Sequence, residues 1–299
     1  MIDDHEHPAT SVPAARAWID ENETFQSRRG HCIAYRRRGR GPTVLLLHGF
    51  PTWSYDYAAV AADLVRDHDV ITMDFLGYGV SDKPHPYRYT VDESADTVAD
   101  LLAHLDVHEV RLVVHDYGGI VGQELLHRSL AHGLAFAVHS VVVLNCGIVY
   151  SAYRPTRLQK LLIIPIVGRL VASRITASRT RTGLDGVRGA ALTDAEFDDL
   201  WIGMSYLDGH RLAYLHIEYN AERAAHHQKW EAALAAWDGP VKLVWGLDDP
   251  VSGRHVLEEA KMLLPRAEVV ELSGVGHFPQ HEAPRAVAEA IRAQRVSSE

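Results

Sequence analysis

Asp116 is the residue in this sequence that could best act as a nucleophile. It follows an apolar run, Leu112–His115, and precedes Tyr117 and two glycines, a pattern that predicts a strand turning sharply into a helix of small residues. A turn of this kind can present a reactive side chain. An aspartate directly after a strand can equally be the N-cap of the following helix, so the residue alone leaves both readings open.

Two further segments could supply the partners of such a nucleophile. Asp248 and Asp249 end a predicted strand, and His277 lies in a glycine-rich loop after the last predicted strand. A carboxylate at a strand end can orient a histidine, and the chain order of nucleophile, acid and histidine is that of one class of catalytic triad. The three segments together favour the nucleophile over the helix cap.

A fourth segment could stabilise negative charge. Phe50 follows the predicted strand Thr43–Leu47 in the loop His48-Gly49-Phe50-Pro51. A loop in this position can contribute a backbone N–H to an oxyanion hole, and the N–H of Tyr117, directly after the nucleophile, would be the second donor.

The residue type of the nucleophile narrows the chemistry. A carboxylate attacks a saturated carbon that carries a leaving group better than it attacks a carbonyl, and the product is an alkyl ester. His277, held by an aspartate, would then deprotonate water for attack on the ester of Asp116. The product is an alcohol or a diol, and the reaction requires neither a metal nor an organic cofactor.

Hydrophobic periodicity predicts the elements that would position these residues. Short strands, apolar on both faces, are expected at Cys32–Arg36, Thr43–Leu47, Asp69–Asp74, Glu109–His115, Ser140–Cys146, Val241–Trp245 and Glu268–Leu272. Helical patterns at Tyr57–Arg66, Glu93–Leu105, Gly118–Leu130 and Arg254–Leu264 lie between them. This alternation predicts an α/β protein with a mostly parallel, doubly wound sheet.

About eighty residues of helical and irregular character interrupt the alternation. The sequence therefore predicts a sheet core in two parts, residues 1–147 and 231–299, with a helical cap at 148–230 inserted between them. The cap would close over the carboxyl ends of the strands, where open α/β sheets bind ligands.

Composition limits the class of protein. The 299 residues are 47% hydrophobic and 23% charged with a formal net charge of -9, which is typical of a globular protein and disfavours nucleic acid as a partner. Two distant cysteines and an acidic start, Met1–His7, favour a reduced, cytoplasmic protein. The apolar stretch Leu161–Ala172 is broken by Pro165 and is too short to span a bilayer. It is expected to form a buried or groove-lining helix, with a role at a membrane surface as the minor alternative.

The motifs resemble the α/β-hydrolase superfamily in its epoxide hydrolase and haloalkane dehalogenase branch. Within that branch the chain is most similar to the mesoderm-specific transcript family. That resemblance is carried by the motifs Asp74–Pro84, His115–Gly118, Gln123–Leu126, Arg154-Pro155 and Leu158–Leu162. It implies an α/β-hydrolase fold, and the usual position of the acid, three residues after Gly246, selects Asp249 rather than Asp248.

The resemblance also implies two kinds of leaving group. Epoxide hydrolases protonate the opening oxygen with cap tyrosines, for which Tyr219 is the first candidate and Tyr150, or Tyr153, the second. Dehalogenases hold the halide with Trp or Asn donors, and here Tyr117 and Phe50 occupy two such places, which leaves Trp53 or Trp201 to substitute. Trp53, Trp201 and Phe278 are the expected substrate-binding residues.

The expected function is accordingly an epoxide hydrolase that converts an apolar epoxide to a diol. The alternatives are a haloalkane dehalogenase and, from another class, a non-catalytic ligand-binding protein with the same fold. The expected partners are a small apolar organic substrate and water, without nucleic acid, metal or stable membrane insertion, and the chain could form a homodimer.

Overall fold

The computed structural model describes residues 14–294. The expectation about Met1–His7 lies outside these residues. Eight strands form one sheet in the order β1-β2-β4-β3-β5-β6-β7-β8. The strands are β1 (Glu23–Gln26), β2 (Cys32–Gly39), β3 (Thr43–Leu47), β4 (Asp69–Met73), β5 (Glu109–His115), β6 (Ala137–Leu144), β7 (Val241–Gly246) and β8 (Glu268–Leu272).

The sheet is mostly parallel. β1 pairs antiparallel with β2 and β2 antiparallel with β4, whereas every other neighbouring pair is parallel. All seven strands expected from the sequence are present, and the predicted bounds of β3, β5 and β8 match the structure. β1 was not predicted because it has four residues of which only Phe25 is buried, so it leaves little periodic signal.

Helices cover both faces of the sheet. They are α1 (Ala15–Asp20), α2 (Ala58–Leu64), α3 (Val91–His104), α4 (Tyr117–Leu130), α5 (Arg157–Leu162), α6 (Val167–Ala172), α7 (Ala177–Asp185), α8 (Asp194–Ser205), α9 (Ala213–His216), α10 (Tyr219–Ala236), α11 (Arg254–Leu263), α12 (Pro279–Glu282) and α13 (Pro284–Arg292). Short 3₁₀ segments lie at Ser54–Tyr57 and Tyr206–Leu212.

Alternation along the strands divides the core into two layers. In β3, Leu45 and Leu47 belong to one buried cluster, whereas Val44 and Leu46 belong to the other. Successive side chains of a strand point to opposite faces, so a strand that is apolar throughout needs a cover on each side. The predicted doubly wound α/β arrangement is confirmed.

The chain between β6 and β7 is helical and contains α5 to α10. Because β6 and β7 are neighbours in the sheet, this segment leaves and re-enters the same sheet. α10 packs against α4, and Trp230, Leu234 and Trp237 join the core cluster of the sheet. The expected cap boundary at residue 230 therefore falls within α10, and the division at 147 and 230 stays a prediction.

The apolar stretch Leu161–Ala172 differs from its expected form. It is divided between the short helices α5 and α6, which meet at a turn containing Pro165 and Ile166. Leu162 and Ala172 are buried, but most of its large side chains are exposed. No helix among residues 14–294 is both long and apolar enough to cross a membrane.

Candidate active site

Asp116 occupies a strained turn between β5 and α4. Its φ is 44° and its ψ is -111°, a backbone conformation that is rare for a residue with a side chain. The turn is possible because two glycines follow. A Cβ on Gly118 would lie 2.4 Å from the carbonyl oxygen of Leu47, and one on Gly119 would lie 2.3 Å from Sγ of Cys146.

The side chain of Asp116 does not cap α4. It makes no capping hydrogen bond, and Oδ1 instead accepts a hydrogen bond of 2.9 Å from the backbone N–H of Phe50. Oδ2 lies 3.6 Å from Nε2 of His277. The carboxylate is 4% exposed, so the turn holds a charged group in a nearly dry site.

His277 joins Asp116 to Asp249. Its Nδ1 donates a hydrogen bond of 2.7 Å to Oδ2 of Asp249, which turns Nε2 toward Asp116. The backbone N–H of His277 donates to the carbonyl of Val187 at 2.8 Å, which fixes the loop that carries the imidazole. The structure thus brings together the three side chains that the sequence places on separate segments.

Asp249 is held by its own set of donors. Oδ2 also accepts from Nδ2 of Asn145 at 3.0 Å and from the hydroxyl of Ser252 at 2.8 Å, and Oδ1 accepts from the N–H of Val251 at 2.7 Å. Asp248 is exposed and accepts instead from the N–H of Gly274 at 3.0 Å. Asp249 therefore orients the imidazole, while Asp248 stabilises the loop that precedes His277.

His277, Asp249 and Asp116 change one another's pKa. Burial would lower the pKa of His277, but the two carboxylates raise it to about 10. Burial would raise the pKa of Asp249, but the charge of His277 and the surrounding hydrogen bonds lower it to about 2. The pKa of Asp116 is also lowered, because contact with His277 outweighs burial. At neutral pH these pKa values place an imidazolium between two carboxylates.

The expected oxyanion-hole donors lie next to the nucleophile. The N–H of Phe50 contacts Asp116 directly, and Tyr117 is the first residue of α4, where an N–H has no partner within the helix. The ring of Tyr117 points elsewhere: its hydroxyl bonds the hydroxyl of Ser94 at 2.7 Å.

Tyr219 and Tyr153 are the two tyrosines of the β6–β7 segment that approach Asp116. Both hydroxyls are buried without a well-aligned hydrogen bond among the described residues. Burial and the nearby charge of Asp116 raise the pKa of both, that of Tyr153 to about 12. Tyr150 is 36% exposed and stacks on His227, so the structure places Tyr153 rather than Tyr150 beside the carboxylate.

The two expected tryptophans lie away from the site. Trp53 is fully buried, and its Nε1–H donates to the carbonyl of Leu200 at 3.0 Å. The ring of Trp201 packs between Phe197 and His210. Neither lines the main cavity, so the structure does not bring them to a substrate.

A cavity of about 710 Å³ adjoins the triad. Phe278 and His277 form part of its wall, together with Phe50, Met204, Leu162 and Ile175. Asp116 and Tyr219 do not line it, but both contact Phe50, so the cavity meets the triad at Phe50 and His277. The wall is mainly apolar, which suits an apolar ligand.

The sequence analysis did not identify some residues of the site. Asn145 was predicted only as part of a strand, although a polar residue at the carboxyl end of a strand next to the acid could have been recognised. Ser252 and the buried, unpartnered hydroxyl of Tyr78, which lines the cavity, lie in loops without periodicity. Within residues 14–294, no cluster of three His, Cys, Asp or Glu side chains could hold a metal.

The chain is similar to known proteins over most of its length. The sequence model of the Alpha/beta hydrolase family matches residues 44–290. The chain is 39% identical over 280 residues to the putative hydrolase LipZ of Mycobacterium tuberculosis, covering 93% of this chain and 96% of that protein. It is 35% identical over 295 residues to the human mesoderm-specific transcript homolog protein, covering 94% and 87%.

Solved structures show the same fold. Haloalkane dehalogenase DbeA-M1 loop variant from Bradyrhizobium elkanii superposes with a TM-score of 0.75 at 22% identity, covering 91% of this chain and 96% of that one. The expected resemblance and the expected fold are thereby confirmed.

Proposed function

We propose that this chain, which belongs to the alpha/beta hydrolase family, is a hydrolase that opens an apolar epoxide through a covalent ester on Asp116. The observation that carries the proposal is the placement of two buried tyrosine hydroxyls, Tyr153 and Tyr219, beside a carboxylate that is itself paired with His277. A carboxylate suits attack on saturated carbon, and hydroxyl donors suit an oxygen leaving group.

In the first step Oδ2 of Asp116 attacks one carbon of the epoxide ring. The bond from that carbon to the ring oxygen breaks, and the oxygen takes a proton from the hydroxyl of Tyr219 or Tyr153. The N–H of Phe50 holds Oδ1, which becomes the carbonyl oxygen of the ester. The product of this step is a hydroxyalkyl ester and a tyrosinate.

Formation of the ester changes the charge around His277. Asp116 is then neutral, so only Asp249 continues to raise the pKa of the imidazole. His277 can release its proton, through water, to the tyrosinate. A neutral imidazole held through Nδ1 by Asp249 is the form that can act as a base.

In the second step Nε2 of His277 takes a proton from water, and the hydroxide oxygen attacks Cγ of Asp116. The N–H groups of Phe50 and Tyr117 stabilise the oxyanion. The ester C–O bond then breaks, and the leaving alkoxide takes the proton from His277. The carboxylic acid left at Asp116 passes its proton to His277, which restores the carboxylate and the imidazolium. The net reaction adds one water to the epoxide and yields a diol.

A halide is the less suitable leaving group for this site. Halide release needs N–H donors beside the nucleophile, but the indole N–H of Trp53 donates to the carbonyl of Leu200, and the ring of Trp201 packs against Phe197 and His210. The buried hydroxyls of Tyr153 and Tyr219, in contrast, lie near enough to Asp116 for its charge to raise their pKa. This difference supports the epoxide hydrolase over the dehalogenase.

The experiment that tests the ester intermediate uses the variant His277→Gln. Without the base, the second step should stop, so mixing with an aliphatic epoxide should add the mass of the epoxide to the chain. Peptide mapping should place the adduct on Asp116. The double variant His277→Gln with Asp116→Asn is the matched control and should gain no mass.

A parallel panel separates the candidate functions. The unmodified chain is incubated with epoxides, haloalkanes and activated esters, and diol, halide and acid are measured. Diol alone supports the proposal, and halide without diol would transfer the assignment to a dehalogenase. Absence of both turnover and adduct across the panel would favour a ligand-binding role.

A further inference from the structure

The helices α5 and α6 carry an exposed apolar surface, which we call the apolar helix surface and define as the exposed large apolar side chains within 158–170. Thirteen large apolar side chains are exposed among the described residues, and seven of them lie in this range. Ile166 is 85% and Leu170 is 55% exposed. A concentrated apolar surface of this kind is typical of an interaction site.

The backbone holds this surface in the solvent. Ile166 has a φ of 66°, and the N–H of Val167 donates to the carbonyl of Pro165 at 2.7 Å, which forms a tight three-residue turn that is rare for a β-branched residue. A Cβ on Gly168 would lie 1.9 Å from the carbonyl oxygen of Leu162, so α6 packs closely against the end of α5. The exposed position of Ile166 is therefore part of a defined turn.

Basic residues surround the apolar helix surface. The segment 154–181 contains no acidic residue, although the whole chain has a net charge of -9. Its seven basic residues are Arg154, Arg157, Lys160, Arg169, Arg174, Arg179 and Arg181. Arg181 pairs with Asp194, whereas the other six are exposed and make no ion pair within residues 14–294. This part of the protein therefore attracts anions.

The mouth of the main cavity opens within the same region. Every exposed residue that lines the cavity lies between Arg157 and Gly186, whereas the lining residues from the sheet core are buried or half-buried. Leu158 both belongs to the apolar helix surface and lines the cavity. The entrance of the cavity therefore adjoins the apolar helix surface at Leu158.

We propose that the apolar helix surface docks on an anionic phospholipid bilayer, with α5 and α6 in the headgroup region and the cavity mouth facing the lipid. A bilayer offers an apolar phase and negative charge together, which is the complement of this surface. A second copy of the chain would instead bring two basic surfaces into contact. This docking does not depend on the proposed chemistry.

Sedimentation of the full chain with vesicles tests the proposal. The chain is mixed with vesicles of phosphatidylcholine alone or of phosphatidylcholine with phosphatidylglycerol. It should sediment with the anionic vesicles, far less with the neutral ones, and progressively less as salt is raised. Because the measurement needs no turnover, its failure is separate from any failure of the epoxide hydrolase assignment.

Two variants test the two halves of the surface. The charge variant Arg154→Gln, Lys160→Gln, Arg169→Gln should lower binding to anionic vesicles about a hundredfold, since each basic residue near such a surface contributes about fivefold. The apolar variant Ile166→Ser, Leu170→Ser should lower it by about tenfold or more. The control for the charge variant is the triple variant Arg211→Gln, Arg254→Gln, Arg285→Gln. The control for the apolar variant is the double variant Leu207→Ser, Met262→Ser. Both controls should bind as the unmodified chain does.

Several results would overturn the proposal. One is a chain that stays in solution with anionic vesicles at low salt, and another is equal loss of binding in the test and control variants. Self-association that is abolished by the apolar variant, without vesicle binding, would assign the surface to a second copy of the chain. If the apolar variant does not fold, the charge variant alone decides, with its unfolding temperature as the check on folding.

Discussion

His277 lies between two aspartates that have different tasks. Asp249 is 2.7 Å from Nδ1 and accepts hydrogen bonds from several groups, so it stays ionised throughout. Asp116 is 3.6 Å from Nε2 and loses its charge when it is alkylated. The same imidazole can therefore be an acid while Asp116 is ionised and a base once Asp116 is esterified, because one of its two neighbours changes charge.

The raised pKa of His277 predicts a pH-dependent stability. A histidine has a pKa of about 6.5 in the unfolded chain and about 10 in this site. The stabilising contribution of the bound proton is complete below about pH 6.5 and is lost as the pH rises to about 10. The free energy of unfolding should fall across this window by up to about 1.4 kcal/mol per pH unit relative to His277→Gln.

Urea unfolding of the unmodified chain and of His277→Gln, at matched pH values across this window, measures the difference. If the free energies of unfolding of the two proteins change with pH in parallel, His277 does not hold the proton. The variant His281→Gln is a useful control, because burial lowers the pKa of His281 to about 4 and its contribution lies outside the window.

The buried hydroxyls of Tyr219 and Tyr153 predict a selective loss of activity. Tyr219→Phe should slow epoxide opening by about 10²- to 10⁴-fold, because an acid for the departing oxygen is lost, and Tyr153→Phe should also slow it. Tyr150→Phe should have little effect, since its ring is at the surface. Pre-steady-state formation of the ester with an epoxide is the measurement, and equal rates in Tyr219→Phe and Tyr150→Phe would remove Tyr219 from the mechanism.

Sequence reasoning works best for residues at the ends of strands. Asp116 and Asp249 follow apolar strands and His277 lies in the loop after β8, and parallel strands bring their carboxyl ends to one edge of the sheet. Tyr150 and Tyr153 lie in an irregular segment without periodicity. Only the three-dimensional path of the chain after β6 shows that the hydroxyl of Tyr153 is buried near Asp116, whereas Tyr150 is exposed.

α4 can lie close to β3 because Gly118 has no side chain. Gly118 lies against the backbone carbonyls of Leu47 and His48. Gly118→Ala should therefore destabilise the protein by about 1–3 kcal/mol and displace Asp116. Gly183→Ala is the control: its Cβ would meet nothing within 4 Å, and in the exposed α7 it should stabilise by up to about 1 kcal/mol.

Thermal or urea unfolding of the two alanine variants measures this contrast. Equal stability in both would show that α4 has room to move away from β3. Activity of Gly118→Ala, corrected for the folded fraction, reports whether the position of the nucleophile depends on the same contact.

At the scale of elements, length and burial decide what the sequence reveals. β3, β5 and β8 were delimited correctly because each is bounded by turn residues and paired in the sheet. The stretch Leu161–Ala172 was expected to form a buried or groove-lining helix because its composition is apolar. Its division into α5 and α6 follows from the turn at Ile166, and an apolar composition does not show whether a surface is covered.

The molecule as a whole combines a rigid sheet with a less tightly packed helical region. β5 and α4 are almost entirely buried, whereas α5 and α6 are six-residue helices with most of their side chains exposed. Amide hydrogens of α5 and α6 should therefore exchange with solvent about a hundredfold faster or more than those of β5 and α4. Hydrogen-exchange mass spectrometry measures this, and uniform protection of the two regions would contradict it.

α10 joins these two regions in one uninterrupted helix. Tyr219 stands in its first turn and Trp237 follows its last, and a helix of 18 residues is about 27 Å long. Chimeras between relatives that differ in their preferred compounds should accordingly be joined before residue 218, so that α10 is inherited whole with β7. Such chimeras could change the selectivity while the catalytic residues of the sheet stay the same. A junction at residue 230 would instead divide α10, the helix that positions Tyr219.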